Sequence, residues 1–156
     1  MWRKCREDDC VAIGWGDLHD LHKCTIDGHI SDVRLEKRLR NMRDNYPWLG
    51  ERWIKTSISQ IKCFYEVCTI DDFVIAYFKG QVCGIGQVKR DYYYNENERY
   101  RITMIPPQTK NVIDVLFYHQ RKVEWKKFDN FPLKVKDLKL SQHLKNKLNI
   151  PPTGTV

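Results

Sequence analysis

The chain has 156 residues, 42% hydrophobic and 30% charged, a balance that fits one folded domain and excludes a disordered chain. No stretch is long and apolar enough to span a membrane. The N-terminal MWRKCREDDC lacks the apolar segment of a signal peptide, so a cytoplasmic location is expected. The net charge of +7 favours polyanionic partners, through phosphate contacts and counterion release.

In chain order, residues 10–15, CVAIGW, read as a short buried strand. A polar loop runs from Gly16 to Gly28 and carries His19 and His22. Residues 31–46 read as a helix, because Leu35, Leu39, Met42 and Tyr46 fall on one face. Ser31 or Asp32 caps it and Pro47 follows its end. A second helix is predicted over SISQIKCFYEVC. There Ser57 and Gln60 make a capping-box pattern, and Ile58, Ile61, Tyr65 and Cys68 line one side. FVIAYF and VCGIGQV then read as a hairpin around Lys79-Gly80-Gln81. Gly84 and Gly86 inside its second strand mark a bulge, a tight barrel bend, or close approach of another backbone. DYYYNENERYR reads as a polar loop or strand end, and VIDVLFYHQRKVEWKKF as two strands around a basic turn. SQHLKNKLNI reads as a short helix, and PPTGTV as a closing loop or the start of a linker. The expectation is a single domain over residues 1–156, forming one module of a longer protein. Its class is α+β: a small curved sheet or open β-barrel with flanking helices.

Six cysteines do not make a disulfide framework in a chain of this size. Cys5 and Cys10, like Cys63 and Cys68, lack the two-residue spacing of a zinc ribbon, so buried thiols acting as small hydrophobes are expected. His19, His22 and Cys24 fit a polar loop as well as a metal site. No metal and no cofactor is expected.

DDFVIAYFKGQVCGIGQVKRDYYY, then HQRKVEWKKF and the closing KNKLNIPPTGTV, resemble the EVE/YTH-like modules of the PUA superfamily. The similarity is above all to the N-terminal DNA-binding modules of McrB-type modification-dependent restriction proteins. IGWGDLHDL and SISQIKCFYEV fit the same order, so the resemblance spans roughly residues 2–155. It implies a non-catalytic reader that flips one modified base into an aromatic pocket. N6-methyladenine is favoured by the YTH analogy, with 5-methylcytosine as the other candidate. It also implies partners in the full-length context: an AAA+ GTPase hexamer and a nuclease subunit. The chain has no G-x-x-x-x-G-K-[ST] loop, so the motor is not in this sequence.

Base flipping costs a few kcal/mol, which aromatic stacking at roughly 1–3 kcal/mol per platform must offset. The YTH-like pattern puts an aromatic residue after the first strand, and Trp15 stands there, either as a pocket wall or as a plug for the end of the barrel. Gly14 and Gly16 would let the backbone approach the base. Asp17 accepts from a base amino group, or ends the turn. Ser57 and Gln60 cap a helix or place its free N–H groups against the ligand. Tyr92 and Tyr94 share one face if the strand continues, and complete the cage. Trp125 shares a face with Val123 and is either a further wall or core. Phosphate contacts are assigned to Arg90, Arg99, Arg101, Lys110, Arg121 and Lys122, near predicted loop ends. The Arg34–Arg43 stripe reads as a solvated helix face.

Two other readings compete. Asp72 with Gln87-Val88-Lys89 matches the scattered acid and x-K pattern of metal-dependent nucleases. PUA-like modules also bind RNA, where contacts to the 2′-hydroxyl decide.

Overall fold

The computed structural model describes residues 1–44, 46, 48–78, 81–105, 110, 112–126 and 132–134. A six-residue helix, α1 (Trp2–Glu7), precedes the first strand, β1 (Cys10–Ile13). Two single turns of 3-10 helix, Gly16–Leu18 and Leu21–Cys24, carry the chain to a tight hairpin, β2 (Thr25–Ile26) and β3 (His29–Ile30). Two helices follow, α2 (Asp32–Asp44) and α3 (Glu51–Lys62). Strands β4 (Phe73–Phe78), β5 (Gln81–Val88), β6 (Tyr93–Tyr94), β7 (Arg101–Met104), β8 (Ile113–Leu116), β9 (His119–Trp125) and β10 (Leu133–Lys134) complete the described chain.

The expected class holds in general form: helices beside small antiparallel sheets, with no closed barrel among the described residues. The main sheet runs β1-β9-β5-β10, with β4 on β5 and β6 on β9. β9 is its hinge. Its first half pairs with β1 and β6, and its second half with β5. β7 and β8 form a separate two-stranded ladder.

The predicted hairpin forms, with one register shift where Ala76 faces Gly84 and Tyr77 faces Val82, so Cys83 is the extra, bulged residue. The two interior glycines make room for rings. A Cβ on Gly84 would run into the Trp2 indole, and one on Gly86 into Val123 and Trp125. The close approach is by side chains and not by another backbone.

Two expectations need correction. α3 does not begin at Ser57. It begins at Glu51 behind Gly50, and its buried face is Ile54, Ser57 and Ile61, so Ser57 and Gln60 lie well inside the helix. The S-x-x-Q pattern misled because Ile54 already belongs to the same helical period. The helix closes in a π-helical segment, Cys63–Val67. The proposed basic turn of HQRKVEW is instead the body of β9, and the actual connection from β8 is Phe117-Tyr118. Residues 91–101, read as a polar loop or strand end, hold the two-residue strand β6, a 3-10 turn at Glu98–Tyr100 and the start of β7. The Lys79-Gly80 turn, the predicted tail helix and PPTGTV lie outside the described residues.

The core has three parts. Leu18, Leu21, Leu35, Leu39, Ile54 and Ile61 fill the space between the helices and the loops after β1. Cys5, Cys10, Tyr100 and Tyr118 pack under α1. Val88, Val123 and Trp125 pack with Trp2 across the sheet. The six cysteines are all free; Cys5, Cys10 and Cys24 are buried as expected, whereas Cys63 is exposed and Cys68 and Cys83 are only partly buried.

Candidate functional site

The segment after β1 is a tightly constrained loop. Trp15 sits in the left-handed region (φ 65°), and His19 has φ 56° with ψ −168°, a region that glycine ordinarily occupies. Such conformations cost on the order of 1–3 kcal/mol each and persist only where surrounding contacts impose them. Between the two lies the Gly16–Leu18 turn, closed by Leu18 N–H to Trp15 O (2.9 Å) and His19 N–H to Gly16 O (3.0 Å). Three side chains hold it from outside. His119 Nε2 donates to Trp15 O (2.8 Å), Tyr94 Oη to Gly16 O (3.1 Å), and Arg38 Nη1 to Leu18 O (2.6 Å). Gly16 is obligatory for a packing reason, because a Cβ there would collide with Leu116 of β8. Gly14 has no such duty, since a Cβ would meet only Val115 at ordinary contact distance, 3.6 Å.

Beneath the turn lies a buried polar network. His119 is fully buried, and the Trp15 carbonyl can only accept, so Nε2 carries the proton and Nδ1 accepts from Tyr92 Oη (3.0 Å). Tyr92 Oη also accepts from Leu21 N–H (3.1 Å) and lies 3.3 Å from Asp20 Oδ1. Burial pulls His119 down to about 4, which keeps it a neutral bridge, and burial raises Tyr92 well above an ordinary phenol.

With its backbone fixed in this way, the turn leaves the Asp17 and His19 side chains exposed. Both line two adjoining clefts. One, of about 350 Å³, is walled by Leu18 and by Arg38, Asn41 and Met42 of α2. The other, of about 640 Å³, is walled by Tyr46, Arg101, Val112, Ile113, Asp114 and Leu116. Tyr46 Oη donates to Asp17 Oδ2 (3.1 Å), and burial followed by the Asp17 charge pushes the phenol up to about 12.

Trp15, Tyr92 and Tyr94 do converge. Tyr92 stacks on His119 with centroids 5.9 Å apart, Tyr94 lies 5.3 Å from the same ring, and Trp15 packs against the same core. Their shared contact is the buried imidazole, and none of the three lines either cleft. Trp125 is remote from this group. It packs on Trp2, and its indole N–H donates to Cys5 O and Cys10 O. Ser57 is buried with an unpaired hydroxyl, and Gln60 lies on α3.

Of the phosphate candidates, Arg101 lines a cleft, paired with Glu98 and Asp114. Arg99 is tied to Glu7 and Asp8. Arg90 lies over the Tyr93 ring, Lys122 donates to Asp8 O, and Lys110 is exposed. Arg121 is a correction. Its side chain is 2% exposed and its guanidinium is held inside the protein by Phe64 O, Tyr65 O and Asp91, so it does not reach a phosphate outside.

The chain matches one family along residues 1–147, described as a domain of unknown function, DUF8426. It belongs to that family. No curated protein and no solved structure matches it. In this DUF8426 domain, no group of three or more His, Cys, Asp and Glu side chains is arranged to hold a metal among the described residues. The Asp72 carboxylate closes its own turn, accepting from Thr69 N–H (2.7 Å) and Thr69 Oγ1 (3.1 Å). Lys89 Nζ donates to Gln87 Oε1 (2.5 Å) and lies 3.4 Å from Glu124.

Sequence reasoning missed His119, Arg38, Asn41 and Met42 as parts of the site. For His119 a signal existed. Val123 and Trp125 define the inward face of β9, and counting back by twos places Arg121 and His119 on it.

Proposed function

We propose that this domain is a non-catalytic reader of nucleic acid that seats one base in the cleft between the Asp17–His19 turn and α2. The observation that carries the reading is the exposure of Asp17 and His19 on a strained turn whose three carbonyls are clamped, facing Arg38, Asn41 and Met42 across about 350 Å³. A site for a small planar ligand needs such fixed polar groups beside apolar walls, and this volume falls within the roughly 300–1,000 Å³ of ligand pockets.

The chemistry suits a base edge. A carboxylate accepts from the exocyclic amine of adenine or cytosine, and an asparagine amide both gives and accepts. An N6-methylated adenine keeps one N–H for Asp17, while Met42 offers apolar contact to its methyl group. The net charge of +7 supplies attraction for the backbone. Trp15, Tyr92 and Tyr94 act here as the support of the turn. The resemblance to EVE/YTH-like modules supports DNA with a modified base as the ligand, N6-methyladenine ahead of 5-methylcytosine. It also supports service as the targeting module of a McrBC-type system.

Fluorescence anisotropy with matched oligonucleotides tests this: unmodified DNA, N6-methyladenine DNA, 5-methylcytosine DNA and RNA of the same sequence. One modified DNA is expected to bind at least tenfold more tightly than the unmodified strand. Asp17→Asn is expected to remove that preference and leave a salt-sensitive background. Equal weak binding of all four removes the reader, and tighter binding of the RNA reassigns the ligand.

A further inference from the structure

The second buried cluster contains two thiols that the proposed site does not use. α1 and β1 are joined by a tight reversal in which Asp9 takes φ 49°, and this brings Cys10 beneath Cys5. Trp125 Nε1 draws the two residues' carbonyl oxygens together, donating to Cys5 O at 3.2 Å and Cys10 O at 3.3 Å. Cys5 and Cys10 pack together in one buried cluster with Tyr100 and Tyr118. Cys10 Sγ also lies 3.7 Å from Tyr100 Oη, which donates to Asp8 Oδ2 at 2.5 Å.

We propose that Cys5 and Cys10 are a redox-modification site that a hydroperoxide converts to an intramolecular disulfide linking α1 to β1. The neighbours divide the labour between the two sulfurs. Cys10 Sγ is the sulfur that touches the Tyr100 hydroxyl, and pairing of the two thiols lowers Cys10 and raises Cys5. Cys10 is assigned as the nucleophile, since the thiolate is the reactive form. Its proton has an exit through Tyr100 Oη to Asp8, whose side chain is 26% exposed.

The Cys10 thiolate attacks one peroxide oxygen. The O–O bond breaks, the departing oxygen leaves as water after taking a proton, and Cys10 becomes a sulfenic acid. The Cys5 sulfur then attacks the Cys10 sulfur. The S–O bond breaks, hydroxide takes the Cys5 proton, and a second water leaves. Two thiols and one hydrogen peroxide give one disulfide and two waters, with two electrons passing from the sulfurs to the peroxide; an organic hydroperoxide gives one alcohol and one water instead. Cys10 is fully buried and Cys5 is 5% exposed, so access requires local opening. α1 has six residues, far below the roughly 12–15 at which an isolated helix holds itself together, so its shape depends on contacts that local fluctuation releases.

The experiment uses the whole reduced chain and hydrogen peroxide, followed by denaturing alkylation and peptide mapping by mass spectrometry. A peptide lighter by two hydrogens and carrying a Cys5–Cys10 link is the expected product. In Cys5→Ser, dimedone is expected to trap the sulfenic acid at Cys10. Oxidation confined to exposed Cys63, with Cys5 and Cys10 both still alkylated, overturns the proposal, as does any mapped disulfide that joins either residue to a different partner. The wild-type map decides the question even if the variant does not fold.

Discussion

His119 ties three parts of the molecule together through two ring nitrogens, and its protonation state is a stability term. In an unfolded chain it titrates near 6.5; in the folded protein burial lowers it to about 4, with the nearby Asp20 charge opposing and His19 adding to the fall. Between these values the unfolded state binds more protons. The stabilisation is therefore complete above about pH 6.5 and is lost as pH falls through 4. The shift corresponds to roughly 3 kcal/mol, of which about 2 kcal/mol is gone by pH 5. Urea unfolding at pH 7 and pH 5 measures this: the wild type is expected to lose about that much more stability than His119→Gln, which has no titrating ring. Ser57 is the opposite kind of residue. Its hydroxyl is buried and unpaired on a helix face, so it carries a desolvation cost without return. Ser57→Ala is expected to raise stability by about 1 kcal/mol in denaturant titration. Nucleic-acid affinity is expected not to change, because Ser57 lines neither cleft.

Among the elements, the π-helical segment after α3 depends on one distant side chain. Its Phe64 and Tyr65 carbonyls accept from Arg121 Nε (2.8 Å) and Nη2 (2.7 Å), and the guanidinium lies over the Phe64 ring at 5.7 Å. Arg121→Met fills much of the volume but leaves both carbonyls without a donor, for an expected loss on the order of 3 kcal/mol in equilibrium unfolding. Arg121→Lys is expected to recover little, since one ammonium does not reproduce the planar fork that spans two acceptors. This arginine also shows where the sequence was readable. α2 and the β4–β5 hairpin could be read because their periodicity of 3.6 or 2 is set by local burial alone. β9 could not. Its inward positions hold His119 and Arg121 beside Val123 and Trp125, and polar residues in a buried register imitate a basic turn. α1 was missed because its buried side is only Cys5 with a partly covered Trp2, too little for a period. The turn after β1 stood out through Gly-Trp-Gly. Its partners on α2, β6, β8 and β9 are long-range contacts that no local pattern encodes.

At the scale of the whole molecule, the excess of 27 basic over 20 acidic residues overstates the charge free to meet a polyanion. Arg40 and Arg43 are paired with Glu51, Arg99 with Glu7 and Asp8, and Arg101 with Glu98 and Asp114. Arg121 is inside the protein. Of the six cations read as phosphate contacts, Arg90, Lys110 and Lys122 are exposed and carry no ion pair among the described residues. Arg90 and Lys122 are also neighbours, because the backbone N–H of Lys89 donates to Lys122 O at 2.8 Å. Each phosphate neutralised on duplex DNA contributes about −0.9 to the slope of log K against log salt, so three contacts predict a slope near −3. Arg90→Gln and Lys122→Gln are each expected to reduce its magnitude by about 0.9 in an anisotropy salt titration. Arg99→Gln is expected to leave it nearly unchanged, because that guanidinium already has its counter-ions within the protein. A steep slope that responds to Arg99 but not to Arg90 would place the nucleic-acid backbone across α1 instead. A slope near zero would mean that the surplus charge serves solubility alone, and that whatever enters the Asp17–His19 cleft is not a polyanion.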